Sequence, residues 1–351
     1  MDTEKTLLIE TAKSQLMTYG IWDGKTRLKR GIKKYLLRRE VTPEDVIFWP
    51  TGLLAAGLWD CGERKAVIAY YDRWIEKKLP IVFLDDLLAG ETLLALWEET
   101  GEGAKKEQYE TALHRLAGYG KEYPTDRNGS FPYRANQKNG YVFVDGIGLA
   151  CPFLYQYGSR FGQQAYQELA RRQIENYLAY GMDGKTGLPY HGYDAENGMK
   201  YGIIGWGRAV GWLLRGMVGC LEDEEGADSS LKEAYQALVD SALSYQQESG
   251  YFTWQLQATE GPVDTSATAM IGVALQQGIR KGLLPEKCYQ QALEKCRQAL
   301  EKSIQNGNLY DCSGECEGFA QYPQRYGAYP WALGPGLQVF AASQQAVQTG
   351  K

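Results

Sequence analysis

The chain has 351 residues, 44% hydrophobic and 23% charged, and a net charge of −5, proportions of a globular protein long enough for two ordinary domains or one large toroidal one. The charge reads as spread along the chain without a basic block, so nucleic acid is not an expected partner. No run approaches the roughly 18 apolar residues of a membrane span, and the opening MDTEKTLLIE carries acids where a secretory signal carries bases, so the expected location is cytoplasmic, with no membrane partner.

In chain order, helical periodicity predicts helices near 3–20, 27–38, 50–60, 63–78, 86–99, 104–121, 145–158, 162–180, 206–222, 229–248, 264–281, 286–304 and 330–348. Runs of alternating β-branched residues hardly occur, so the chain reads as all-α. Two helix types alternate. Segments beginning near 86, 145, 206, 264 and 330 are apolar on nearly every side, as helices inside a protein are. Those at 104, 162, 229 and 286 are amphipathic and charged, as in QQAYQELARRQIENYLAY.

The apolar type recurs at intervals of roughly 60 residues, the sign of a repeated helix pair. About six such pairs closing on themselves make an (α/α)6 barrel, a six-hairpin toroid, and the chain reads as one such domain over 1–351. Connections from outer to inner helices are long and rich in Gly, Tyr and Trp, and long loops in a compact domain are often functional. In such a ring every inner helix starts at the same end. That places Asp85, Asp145, Arg208, Asp264 and Trp331 at one mouth.

Asp145 opens YVFVDGIGLACPFLYQYG, a run with two early glycines and Pro152, which removes a backbone donor within a helix. Asp is a favoured N-cap, and equally a general acid/base at the mouth. Gly146 and Gly148 read as letting a substrate ring approach the backbone, and Pro152 as breaking the helix around a cavity. Asp85 and Asp86 begin another inner helix; one caps it and one is free to be functional. Asp264, followed by Thr265 and Ser266, reads as a cap. His191 lies in the aromatic loop GLPYHGYD and can bind or polarise a substrate, while His114 falls in an outer helix and reads as structural. Arg208 and Trp212, four apart, share one helix face and pair a fork for carboxylates with a flat stacking surface. Tyr and Trp are abundant, 25 and 9 residues, and such faces suit sugar rings. Seven Cys without a CxxC pair leave disulfides or zinc with little support, and Cys312 and Cys316 lie in a polar loop without His. No cofactor or metal is implied.

The ordered motifs VDGIGLACPFL, GLPYHGYD, WGRAVGW, DTSATAMIGVALQQGIRKGLL and YGAYPWALGPGLQVFAAS resemble those of the unsaturated rhamnogalacturonyl hydrolases, glycoside hydrolase family 105, with the unsaturated glucuronyl hydrolases of family 88 as relatives. The resemblance runs from about residue 45 onward, and residues 1–45 carry no matching motif. It implies an (α/α)6 barrel and hydration of a 4,5-unsaturated uronic acid left by a polysaccharide lyase at the non-reducing end of an oligosaccharide. By the same resemblance Asp145 matches the general acid/base and Asp85, five residues before Gly90, the second active-site aspartate. His191, Arg208 and Trp212 match positions that contact the uronate, and Trp331, in the closing motif, is expected to bind substrate as well. Val210 stands where relatives often carry Asn or His near the sugar. The expected substrate is unsaturated galacturonyl-rhamnose. The alternatives are a glucuronyl hydrolase acting on another glycan, or a non-catalytic sugar-binding barrel.

Overall fold

Six helices whose residues are mostly apolar on all sides have to bury every face, and a closed ring with a second ring outside it does this. The computed structural model describes residues 2–38, 41, 44–135, 140–222, 228–318 and 321–349, with side chains from Thr3 to Ala341. The inner ring is α3 (Trp49–Asp60), α5 (Ala89–Glu99), α7 (Val144–Arg160), α9 (Gly207–Gly219), α11 (Thr265–Arg280) and α13 (Pro330–Thr349). Each packs on the next, and α13 returns to pack on α3. Every residue of α9 is buried.

The outer ring is α1 (Asp2–Thr18), α4 (Arg64–Glu76), α6 (Ala104–Glu122), α8 (Gln164–Tyr180), α10 (Ser229–Leu243) and α12 (Glu286–Lys302). These helices bury one stripe only; in α8 it is Tyr166, Ala170, Gln173, Ile174 and Tyr177, the spacing of a helix facing a core. The first outer helix, α1, lies against both α3 and α13 and covers the seam where the ring closes. The fold is the (α/α)6 toroid expected from the alternation of the two helix types. A further helix, α2 (Gly24–Gly31), continues as a π-helical turn over Ile32–Leu36.

Each predicted helix has its counterpart, with ends shifted by a few residues. The helix expected over 229–248 ends five residues early, at Leu243, and at 86–99 a 3-10 turn, Leu84–Leu88, precedes α5. Short antiparallel ribbons occupy the loops: β1 (Tyr141–Phe143), β2 (Gly192–Asp194) and β3 (Lys200–Tyr201) in one, β4 (Ile304–Gln305) with β5 (Asn308–Leu309), and β6 (Cys312–Ser313) with β7 (Tyr326–Gly327). Strands of two or three residues are too short to show a period of two in the sequence.

Glycines set the helix spacing, and this corrects one sequence reading. A Cβ on Gly148 would lie 2.6 Å from the Trp212 ring, and one on Gly146 would lie 3.2 Å from Leu84. Both are packing glycines between elements, not openings toward a substrate. Pro152 leaves α7 unbroken from Val144 to Arg160. Its ring packs on Gly219 of α9, where a Cβ would approach to 2.6 Å.

Deeper in the ring, Arg215 of α9 donates to Glu91 of α5 at 2.5 Å and to the Gly148 carbonyl of α7 at 3.2 Å, tying three inner helices together. The seam itself is made of glycine on glycine: a Cβ on Gly57 would overlap the Gly334 carbonyl oxygen, and one on Gly334 the Leu53 carbonyl. Gly57→Ala should therefore destabilise the protein by about 1–3 kcal/mol, seen as a fall of several degrees in melting temperature. Gly101→Ala, with nothing within 4 Å of the new methyl, is the control; equal melting temperatures for the two variants would show that the seam has slack.

Candidate active site

The β1–β2 ribbon positions the first acid. Phe143 pairs with Gly192 across the ribbon, and the Val144 N–H donates to the His191 carbonyl at 3.0 Å. The start of α7 is thereby fixed beside His191. Phe143 occupies the cap position without a side-chain hydrogen bond, so Asp145, the second residue of the helix, is not used as a cap. Its Oδ2 lies 3.3 Å from His191 Nε2.

His191 is fully buried, its ring set against Phe143 and Trp206 at centroid distances of 4.8 and 4.6 Å. Nδ1 is 2.8 Å from the Tyr322 hydroxyl, which also accepts the Ile203 N–H at 3.4 Å. With Tyr322 at Nδ1, the other ring nitrogen, Nε2, is the one turned toward Asp145, close to Oδ2 but without hydrogen-bond geometry.

The two neighbouring aspartates divide their work. Asp86 turns back on its own loop and accepts from the N–H groups of Val82 and Phe83 at 2.7 and 3.0 Å. Asp85, also buried, receives the Tyr133 hydroxyl and the Arg134 guanidinium, each at 3.4 Å from Oδ2. Its Oδ1 is buried without a hydrogen-bond partner. Burial pushes the Asp85 carboxyl up, Arg134 pulls it down, and the charge of Asp145 adds to the rise. Asp85 is thus the carboxylate that communicates with Asp145, and Asp86 is the anchor of the turn.

Arg208 is buried and its charge is met by neutral oxygens. Nη1 donates to Ser266 Oγ at 3.1 Å, to the Ser313 carbonyl at 3.0 Å and to Ser313 Oγ at 2.8 Å; Nη2 donates to the Gly314 carbonyl at 2.8 Å. Asp264 stands one layer behind. It caps α11 by accepting from Ser266 N–H at 2.9 Å, and accepts from Ser313 Oγ at 2.6 Å. Trp331 closes the layer, with its indole N–H donating to the Ser313 carbonyl at 3.0 Å and its rings on Tyr329. The six inner helices thus meet at one mouth through Trp49, Asp85, Asp145, Arg208, Asp264 and Trp331.

Between these groups lies a cavity of about 40 Å³ walled by Trp49, Trp206, Trp212 and Tyr133, with Asp145 and Arg208 as polar groups; Glu315 and Cys316, on the loop after β6, complete its lining. Of the residues singled out in the sequence, Asp145, Arg208 and Trp212 line it. His191 stands behind Asp145, Asp85 behind Tyr133, and Trp331 behind Arg208. Val210 is fully buried in α9 and does not line the cavity, so its side chain is not a sugar contact there. Tyr133, Arg134, Trp49, Trp206, Glu315 and Tyr322 were not singled out. Trp206 and Tyr322 lay in or near quoted stretches, but a lone aromatic gives no sign of facing a cavity. Among the described residues no three His, Cys, Asp or Glu side chains gather as a metal site.

A toroid with an aromatic-walled cavity, an acid and a guanidinium at the shared helix N-termini has the form of a sugar-processing barrel. The chain belongs to Glycosyl Hydrolase Family 88, whose sequence pattern matches residues 38–335, and it is therefore a glycoside hydrolase. It is similar in fold to a possible member of the GH105 family from Klebsiella pneumoniae subsp. pneumoniae MGH 78578, with a TM-score of 0.82 at 19% identity over 99% of this chain and 94% of that one. It is also similar to an unsaturated glucuronyl hydrolase from Bacillus sp. GL1, responsible for the degradation of glycosaminoglycan (TM-score 0.71, 17% identity, 98% of this chain and 96% of that one). In sequence it is 32% identical over 164 residues to the 24.9 kDa protein in the picA locus of Rhizobium radiobacter, over 43% of this chain and 70% of that protein.

Burial pushes the Asp86 carboxyl up to about 8, against the pull of its two amide donors. A carboxyl raised on folding favours the folded state at low pH. That contribution is lost as pH rises from about 4, the unfolded value, through about 8. Asp86→Asn keeps an acceptor for both amides and removes the titration. Between about pH 5 and about pH 9 the urea midpoint of the wild type should fall more than that of the variant; parallel profiles would show that Asp86 does not titrate in this range.

Proposed function

We propose that this chain removes a 4,5-unsaturated uronic acid from the non-reducing end of lyase-generated oligosaccharides, by hydrating the vinyl-ether double bond. The observation that carries the reading is the pairing of Asp145 and Arg208 on one cavity wall. The acid lies 3.3 Å from the His191 ring nitrogen, and the hydrogen bonds of the guanidinium go to neutral oxygens while its face lies over Trp206, which leaves its charge available to a substrate carboxylate. Trp49, Trp206 and Trp212 supply faces for the sugar ring.

In this mechanism Asp145 gives its proton to C4 of the double bond and takes a proton from the water that adds at C5. The sum is addition of one water. The hemiketal so formed opens, and its former glycosidic oxygen leaves as the hydroxyl of the released sugar. The buried His191 ring lies 3.3 Å behind the Asp145 carboxyl, and Asp85 is the second carboxyl beside the reaction. The scheme differs from hydrolysis by a carboxylate pair flanking the glycosidic carbon, because the reacting carbon is the sp2 centre. At about 40 Å³ the cavity is smaller than a sugar ring, so its lining rearranges when substrate enters. The proposed substrate is unsaturated galacturonyl-rhamnose, which rests on the motif resemblance.

The test follows the ultraviolet absorbance of the conjugated double bond on unsaturated rhamnogalacturonan and glycosaminoglycan disaccharides. The wild type should bleach the former faster. Asp145→Asn should lose about 10²–10⁴ in kcat with little change in binding, whereas Arg208→Gln should act mainly through KM. Full activity of Asp145→Asn would sink the acid/base role, and preference for the glycosaminoglycan products would replace rhamnose as the neighbouring sugar.

A further inference from the structure

The helical segment Gly24–Leu36 belongs to neither ring of the barrel and lines a surface pocket with Trp22, Val41 and Glu44. No residue of α2 or of the π-helical turn that continues it is buried. It is held at its base: Asp23 accepts from the Thr26 N–H at 2.7 Å, Arg27 pairs with Glu44 at 2.6 Å, and the Arg30 guanidinium lies 4.5 Å from the Trp22 ring centroid. A helix of this length with no buried face is marginal in water.

Its side chains are of two kinds, apolar and basic. Leu28, Ile32, Tyr35 and Leu36 fall at the spacing of one helix face, and they are 67%, 46%, 79% and 78% exposed. Lys25, Lys29, Lys33 and Lys34 are exposed around that face, and Arg27, Arg30 and Arg38 bring the basic residues to seven, with no acid between Gly24 and Arg38. The expectation of evenly spread charge fails at this stretch. Gly24–Leu36 also lies outside the residues matched by the family pattern, so the barrel chemistry does not account for it.

What covers such a face must be both apolar and anionic. Among the described residues, the large apolar side chains exposed outside this segment and the adjoining Leu37 are Leu7, Ile21, Tyr180, Met199 and Tyr310, scattered along the chain, so a second copy offers no comparable patch to receive it. The same face against itself would set its cations against one another. A saccharide chain supplies negative charge but nothing to cover Leu28, Ile32 and Leu36. An anionic lipid surface meets both demands, with the leucines and isoleucine at the acyl boundary and the lysines among the headgroups.

We propose that Gly24–Leu36 is a peripheral membrane-binding helix that seats the barrel on anionic lipid. It lies on the surface and does not cross it: no described helix is long and apolar enough to span a bilayer. The proposal reverses the sequence expectation of no membrane partner.

The experiment is flotation of the full chain with vesicles of phosphatidylcholine alone and of equal parts phosphatidylcholine and phosphatidylglycerol, beside light scattering of the protein without lipid. Binding to the anionic vesicles only is expected. It should fall at least about tenfold in Lys29→Gln/Lys33→Gln/Lys34→Gln and again in Leu28→Ser/Ile32→Ser/Leu36→Ser. None of these residues is buried, so melting temperature and activity on soluble disaccharides should not change, which separates lost binding from lost folding. No binding to either vesicle, equal binding to both, or binding unaffected by either triple variant would overturn the proposal. So would a dimer without lipid that the Leu28→Ser/Ile32→Ser/Leu36→Ser variant dissociates, which would assign the face to a second copy.

Discussion

Six inner helices can share one axis only if their backbones come close, and close approach needs side chains that take almost no room. The seam between α3 and α13 is Gly57 against Gly334, and α7 meets α9 through Gly148, Gly216 and Gly219, the last two against Ile147 and Pro152. Glycine within a helix costs roughly 0.5–1 kcal/mol relative to Ala. The ring offsets this by burying apolar side chains, each contributing about 1.5–3 kcal/mol when fully withdrawn from water. The position of every residue at the mouth depends on that spacing.

At the mouth the same tight packing makes charge expensive and hence directional. Arg208 and Asp264 are both buried, and a lone buried charge costs several kcal/mol. They offset each other through Ser266 and Ser313 rather than by direct contact, and that intervening layer fixes where the guanidinium points. A direct Arg208–Asp264 pair would neutralise the arginine. With hydroxyls and carbonyls between them, the structure keeps a cation on the cavity wall. Asp145 and His191 show the complementary arrangement, an acid set beside a buried ring that Tyr322 positions from its far side.

The barrel and the α2 segment obey different solvents. Barrel helices bury apolar residues against one another, and even the outer ones turn their stripes inward. The α2 segment turns Leu28, Ile32 and Leu36 outward beside lysines, where the barrel gives them nothing to pack on. One chain thus joins a catalytic core, complete in its packing, to an attachment element whose partner lies outside it.

The sequence by itself determined the alternation of all-round apolar and amphipathic helices, hence the ring, and the placing of Asp85, Asp145, Arg208, Asp264 and Trp331 at a common end. Burial patterns are local and periodic, so they can be read along the chain. It also marked Asp264 as a cap, since Thr265 and Ser266 follow it. Which aspartate of the 85–86 pair faces the site, that Trp331 and His191 stand behind the cavity wall, that Val210 points away, and that Gly148 and Pro152 serve helix packing were decided by tertiary structure alone. Each depends on a neighbour from a distant segment: Arg134 for Asp85, Ser313 for Trp331, Trp212 for Gly148, Gly219 for Pro152. Such partners are joined by the closing of the ring, and no spacing along the sequence records which of them will meet.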